Sequence, residues 1–194
     1  MTRKRSFFII GCGSIGQRHI GNLLALGEIE IVAFDVLAER RSQVKTKFQI
    51  STVDSLEDGW RRSPDVAFVT VPTSLHIPIS LEAASHGCHL FIEKPLGDRL
   101  QDIDKLIATV KEKGLITLVG CNMLFHHGPD TIKKLLDQGA VGRIITALID
   151  VGQYLPDWHP REDYRQLYSS NASLGGGVVL DGIHEIDYAR WIFG

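Results

Sequence analysis

The sequence predicts an α/β protein with a doubly wound parallel sheet over residues 7 to 121. Three observations predict it. Short apolar runs recur at Phe7–Ile10, Ile29–Asp35, Asp65–Val71, Cys88–Ile92 and Leu115–Cys121. Stretches with apolar residues at helical spacing lie between several of them, and glycine or proline marks the joins. No internal repeat or low-complexity linker breaks the alternation. At 194 residues there is room for one domain and part of a second. The hydrophobic fraction of 44%, charged fraction of 23% and net charge of −2 are those of an ordinary globular protein, with nothing to favour nucleic acid or an anionic membrane. The basic cluster Arg3-Lys4-Arg5 precedes only four apolar residues, too few for a secretory signal, and no run approaches the ~18 needed to span a bilayer. Cys12, Cys88 and Cys121 are odd in number and set in apolar contexts. They are expected to be small core residues in a reducing, cytoplasmic compartment.

The first strand, Phe7 to Ile10, runs into Gly11, Gly13 and Gly16 at the spacing G-x-G-x-x-G. In a dinucleotide site these glycines give a tight turn, close backbone approach to a pyrophosphate, and close helix–strand packing. A helix opening at Ser14 points its unpaired N–H groups at the phosphates and stops at Gly27. Strand 29–35 ends in Asp35, nineteen residues past Gly16 and near the ~20 expected of a carboxylate on the adenosine ribose. Asp35 either takes that role, favouring NAD over NADP, or caps the next helix. Arg40 and Arg41, a turn later, leave room for NADP.

Strand 65–71 suits a central position and leads into Pro72-Thr73-Ser74-Leu75-His76 and a helix to about His86. Strand 88–92 leads into Glu93-Lys94-Pro95 and a helix opening at Asp98. There Asp98 is the expected N-cap, with Leu100, Ile103, Leu106, Ile107 and Val110 on one face and Gly114 as the stop. After Cys121 the pattern changes. Residues 122–129 read as a loop, 130–138 as a helix, 144–151 as a strand, and 154–173 as a polar, aromatic stretch without period. Gly175-Gly176-Gly177 then precedes one helix ending at Gly194. The domain boundary is placed at residue 121.

Two sets of residues can carry chemistry. On the last helix Asp181, His184, Asp187 and Tyr188 fall at i, i+3 and i+4 positions, which share a face with Cβ atoms about 5–6 Å apart. Such a face is either solvated or turned to a ligand, and the preceding glycines favour close approach of a ligand. Lys94 follows a buried strand at the carboxyl edge of a parallel sheet, where such folds bind ligands. Glu93 beside it can orient it, though a lysine in such a turn can equally be only solvated. No Cys/His group has metal-ligand spacing, and adjacent His126 and His127 do not readily converge on one ion, so no metal is expected.

Taken together, Gly11-x-Gly13-x-x-Gly16, Glu93-Lys94-Pro95, and Gly175-Gly176-Gly177 followed by Asp181 and His184-x-x-Asp187 resemble the glucose–fructose oxidoreductase / inositol dehydrogenase (Gfo/Idh/MocA) family. Pro72-Thr73-Ser74-Leu75-His76 is similar to that family's loop after the fourth strand. The resemblance implies a Rossmann domain over 1–121 and an α+β open-sheet substrate and dimerisation domain over 122–194. It also implies reversible hydride transfer between NAD, with NADP as the second choice, and a sugar or nucleotide-sugar carbon. Carried over by residue, it makes Lys94, His184 and Asp181 catalytic: Lys94 on the substrate hydroxyl, His184 as acid/base, and Asp181 on substrate or orienting His184. It assigns cofactor contacts to Gly11, Gly13, Ser14, Ile15, Gly16, Asp35, Thr70, Pro72, Thr73, His76, Glu93 and Lys94, and it implies a cis Lys94–Pro95 peptide. Such chemistry needs a base of near-neutral pKa and a cation for the developing alkoxide, while the cofactor takes the hydride.

Three departures qualify the resemblance. His184 follows Asp181 by three residues where the family commonly has four. In this, and around Leu155-Pro156-Asp157-Trp158 and Asp163-Tyr164, the chain is similar to surface-polysaccharide and nonulosonate-type sugar oxidoreductases. Leu124 stands where many members have arginine. The chain reaches Gly194 just after the histidine helix, whereas the family's second domain continues well beyond, so a C-terminally truncated domain is expected. Two other readings follow: a non-catalytic nucleotide-binding or partner-binding protein, and an NAD-dependent glycosidase. Homo-oligomers are expected of full-length relatives.

Overall fold

The computed structural model describes residues 4–152, 154–158 and 163–194. Arg3 of the basic cluster and residues 159–162 of the aromatic stretch lie outside them. The chain divides into two compact units, the first ending at Val119 and the second beginning at Gly120.

In the first unit six parallel strands form one sheet in the order β3-β2-β1-β4-β5-β6. They are β1 (Ser6–Ile10), β2 (Glu30–Phe34), β3 (Ser51–Thr52), β4 (Val66–Val69), β5 (His89–Ile92) and β6 (Thr117–Val119). The helices are α1 (Ser14–Ala25), α2 (Ala38–Phe48), α3 (Leu56–Trp60), α4 (His76–Ser85) and α5 (Ile103–Glu112). The order reverses between β1 and β4, the doubly wound arrangement of a Rossmann sheet, so the expected fold class holds.

Strand alternation fills two cores. Phe8, Ile10, Val32, Ala67, Val69, Leu90 and Ile92 face one way, packed with Trp60, Ile77, Ala83 and Leu106. Phe7, Ile9, Ile31, Ala33 and Phe68 face the other, packed with Ile20, Leu23 and Val44. This two-sided burial explains why the central strands read as unbroken apolar runs.

Several expected elements differ. Asp98 does not cap α5. The helix starts at Ile103, because Leu100 is 87% exposed and adds nothing to the buried stripe, while the Asp98 carboxylate takes the Arg99 guanidinium at 2.9 Å. β6 is a short, half-exposed edge strand rather than a buried one, with a partner on one side only and Leu118 51% exposed. The helix expected after Asp35 is α2, while β3 and α3 are not marked by the sequence pattern. Both of these are short, and α2 is mostly polar and buries only Val44.

In the second unit α6 (His127–Asp137) begins ahead of the expected start. Pro129 lies in its first turn, where a missing N–H costs nothing, and the His126 imidazole accepts from the Gly128 N–H. Residues 144–151 are not a strand. No strand pairs with them among the described residues, and Ile145 and Leu148 are 85% and 91% exposed. A strand without a ladder has no hydrogen bonds to hold it. The aromatic stretch holds α7 (Leu155–Trp158) and three single 3-10 turns. The final helix is two helices, α8 (Val178–Asp181) and α9 (Ile183–Phe193), broken at Gly182. No helix among the described residues is long and apolar enough to cross a membrane.

Candidate functional site

The glycine turn sits at the carboxyl end of β1. Gly11 has φ +104°, and a Cβ there would run into the Thr70 carbonyl. A Cβ on Gly16 would run into the Gly11 carbonyl, so α1 can enter this turn only through glycine. Gly13, by contrast, faces open space. It is the N-cap of α1, and no side chain caps that helix. The first intrahelical bond here runs from the Gln17 N–H to the Gly13 carbonyl at 3.0 Å. The N–H groups of Ser14, Ile15 and Gly16 therefore precede the helical ladder and are available to an anion. A clear approach at Gly13 in front of an uncapped helix is what a dinucleotide pyrophosphate requires, so the turn fits the cofactor.

Asp35 follows β2 and is 5% exposed. Its Oδ2 accepts from the Cys12 N–H at 2.8 Å and its Oδ1 from the Leu37 N–H at 2.9 Å. α2 has Leu37 as N-cap and no side-chain cap, so capping is not what this carboxylate does. A carboxylate offers about four acceptor positions, and those left over suit ribose hydroxyls. The Arg40 guanidinium lies 3.7 Å from Oδ2, while Arg41 donates to the Asp35 carbonyl at 2.7 Å and to Asp54 at 2.9 Å. Burial, reinforced by the Asp35 charge, pushes the Cys12 thiol up to about 12, so this cysteine is packing rather than a nucleophile.

At the end of β4, Thr70 and His76 turn inward. The Thr70 hydroxyl lies 2.7 Å from the Gly11 carbonyl and 2.9 Å from that of Ile10. The His76 ring is fully buried, with Nδ1 2.7 Å from the Pro95 carbonyl and Nε2 2.9 Å from that of Val71. Both were expected to touch the cofactor. The Thr70 hydroxyl donates to a backbone carbonyl and the His76 ring lies between two others, so both side chains hold the loops together. Burial pushes the His76 imidazole below its ordinary pKa, against the two carbonyls and the Glu93 and Asp98 charges. Pro72 opens the 3-10 turn Thr73–Leu75, in which Thr73 is buried.

At the end of β5 the Lys94–Pro95 peptide is cis, as the resemblance implied. Glu93 Oε2 accepts the Lys94 backbone N–H at 3.1 Å, and its Oε1 lies 2.7 Å from His19 Nε2. The sequence reading missed His19, and spacing gives no signal for it. Gly11, Gly13, Ser14, Ile15, Gly16, Asp35, Pro72, Thr73, Glu93 and Lys94 thus all lie at the carboxyl ends of β1, β2, β4 and β5.

In the second unit Asp181 closes α8 and His184 stands in the first turn of α9, so Gly182 breaks the single helical face expected to carry both. The Tyr168 hydroxyl lies 3.5 Å from Asp181 Oδ1. Gly176 allows close backbone packing, since a Cβ there would meet the Tyr168 and Ser169 carbonyls, whereas Gly177 faces open space. The glycine run thus serves internal packing as well as any approach from outside.

Residues 5–121 match the model of an oxidoreductase family with an NAD-binding Rossmann fold (GFO_IDH_MocA), and residues 130–194 match the GFO/IDH/MocA C-terminal domain. The chain is 30% identical over its whole length to an uncharacterized oxidoreductase of Bacillus subtilis, covering 55% of that protein. It is 28% identical over 96% of its length to the myo-inositol 2-dehydrogenase of Thermotoga maritima, covering 54% of it. The chain therefore spans about half the length of the curated relatives it matches. Its fold resembles the WlbA dehydrogenase from Bordetella pertussis, solved with NADH and UDP-GlcNAcA, with a TM-score of 0.80 at 23% identity over all of this chain and 56% of that one. A match that takes in the whole parallel sheet and its glycine turn makes this chain a member of the Gfo/Idh/MocA oxidoreductase family, with that family's NAD-binding Rossmann domain.

Proposed function

We propose that this chain supplies the NAD-binding and acid/base parts of an oxidoreductase that moves a hydride between nicotinamide and a hydroxyl- or keto-bearing carbon of a sugar or nucleotide sugar. One observation carries the reading: the glycine turn, Asp35 and the Glu93-Lys94-Pro95 turn share one carboxyl edge of the sheet. Relatives support the substrate class. One is named a myo-inositol 2-dehydrogenase, and a structural neighbour was solved with a nucleotide sugar.

In this reading Gly13 and the first N–H groups of α1 take the pyrophosphate, and Asp35 takes the adenosine ribose. Asp35 favours NAD because a carboxylate repels a 2′-phosphate, and Arg40 beside it makes NADP the second choice. Bound NAD supplies the hydride acceptor. Lys94 lends positive charge to the substrate oxygen, where negative charge develops. His184 takes the hydroxyl proton, as an imidazole can near neutral pH, and Asp181 binds substrate or orients that ring. The buried thiols of Cys12 and Cys88 suit a reducing compartment.

The test is calorimetric titration with NAD and NADP, then a screen of sugars, cyclic polyols and nucleotide sugars followed by the absorbance of reduced cofactor. NAD should bind more tightly than NADP. Lys94→Ala and His184→Ala should each keep NAD binding and lower turnover by at least ~10²-fold. Undiminished turnover in both variants overturns the assignment. NAD binding with no turnover on any substrate leaves a nucleotide-binding protein instead.

A further inference from the structure

Glu93 joins two parts of the first unit that are far apart in sequence. Its Oε1 meets His19 Nε2 at 2.7 Å, and its Oε2 holds the backbone N–H of Lys94. His19 lies on α1, three residues beyond Gly16. Its ring packs edge-on against Phe91, with centroids 4.7 Å apart, and at 5.4 Å from Phe68. The two side chains are only 14% and 13% exposed. Against the stacked Phe68–Phe91 pair and largely out of water, such a contact is stronger than on an open surface. An ionised carboxylate can only accept, so His19 Nε2 carries a proton whether the ring is neutral or charged. The pair therefore fixes how far the Lys94 turn stands from the helix whose N-terminus faces the phosphates.

In a doubly wound sheet the ligand crosses the carboxyl edge at the point where strand order reverses, here between β1 and β4. Asp35, after β2, lies on the adenosine side, and Glu93, after β5, on the nicotinamide side. We propose that His19 is a positioning residue that acts through Glu93 to set the Lys94–Pro95 turn, and so governs the grip on the nicotinamide half of NAD without touching the adenosine half. This rests on the cofactor reading above.

The test is calorimetric titration of the whole chain with NAD and with 5′-AMP, for the wild type and four variants. His19→Phe keeps an aromatic ring and removes the N–H. His19→Gln keeps a donor, Glu93→Gln removes the carboxylate charge, and the fourth variant combines His19→Phe with Glu93→Gln. In His19→Phe, NAD should weaken about tenfold, the scale of a lost hydrogen bond to a charged group, and AMP by less than about twofold. His19→Gln should recover most of that loss. The double variant should lose no more than the weaker-binding single variant, since both act through one contact.

Equal weakening of NAD and AMP in His19→Phe, or no weakening of NAD, overturns the inference. If His19→Phe does not fold, Glu93→Gln must show the same split between NAD and AMP, and equal loss of the two overturns it. A wild type that binds NAD no more tightly than AMP overturns the cofactor reading itself and the inference with it.

Discussion

Single atoms decide what the glycine turn can do. A methyl group on Gly16 would be driven into the Gly11 carbonyl, whereas one on Gly13 would meet nothing within 4 Å. The two substitutions should therefore separate folding from binding. Gly16→Ala should lower stability by about 1–3 kcal/mol, as overpacking does, and should weaken NAD along with it. Gly13→Ala should melt close to the wild type, because Gly13 has ordinary φ and ψ of −66° and −172°. Its methyl group would nevertheless stand where the phosphates approach, so NAD affinity should fall. Thermal melts alongside calorimetry distinguish the two, and a Gly13→Ala protein that binds NAD normally would remove the pyrophosphate from this turn. At the same scale, Asp35 was legible from its distance to the glycines. The Cys12 N–H that it accepts was not, because hydrogen bonds between neighbouring strand ends leave no mark on composition.

Between elements, histidines tie the loops of the carboxyl edge together. His76 opens α4 and reaches back to Val71 and across to Pro95, so one buried ring joins the loops after β4 and β5. Burial lowers its pKa in the fold, which means that the unfolded chain takes up this proton at a higher pH than the native protein. Its contribution is therefore complete above the ordinary imidazole value of about 6.5 and is lost as pH falls through that range. Denaturant unfolding at pH 7.5 and 5.5 should show the wild type losing stability on acidification. His76→Asn, which keeps one donor and cannot titrate, should lose less of it. Equal losses in the two proteins would mean that His76 does not carry this proton linkage. The sequence marked the 72–76 loop through family resemblance alone. Nothing in its spacing says that the histidine points inward, since a ring at the start of a helix can turn either way until neighbouring carbonyls are in place.

Across the whole molecule, order follows the density of the core. β1 is paired on both sides and β4 sits between β1 and β5, while residues 144–151 have no ladder among the described residues. Amide hydrogen exchange should find strong protection at Phe8–Ile10 and Ala67–Val69 and next to none over 144–151. Protection over 144–151 in solution would indicate pairing with something outside these residues.

This contrast also marks the division between sequence and structure. The parallel sheet was legible because strands buried on both faces must be apolar throughout. The phosphate turn was legible because a tight turn and a close helix approach exclude side chains. For Lys94, its place directly after a buried strand of a parallel sheet put it at the carboxyl edge. Residues 144–151 have the same apolar look, yet a strand exists only where a partner completes its hydrogen bonds, and sequence carries no record of the partner. The final helix looked continuous because Asp181, His184 and Asp187 keep helical spacing, and the backbone at Gly182 nevertheless breaks it. By itself the sequence determined that the central strands are buried on both faces and that the turn after the first of them must be glycine. The tertiary structure alone decided which polar atoms meet, as with His19 and Glu93, because those contacts depend on how separate elements are brought side by side.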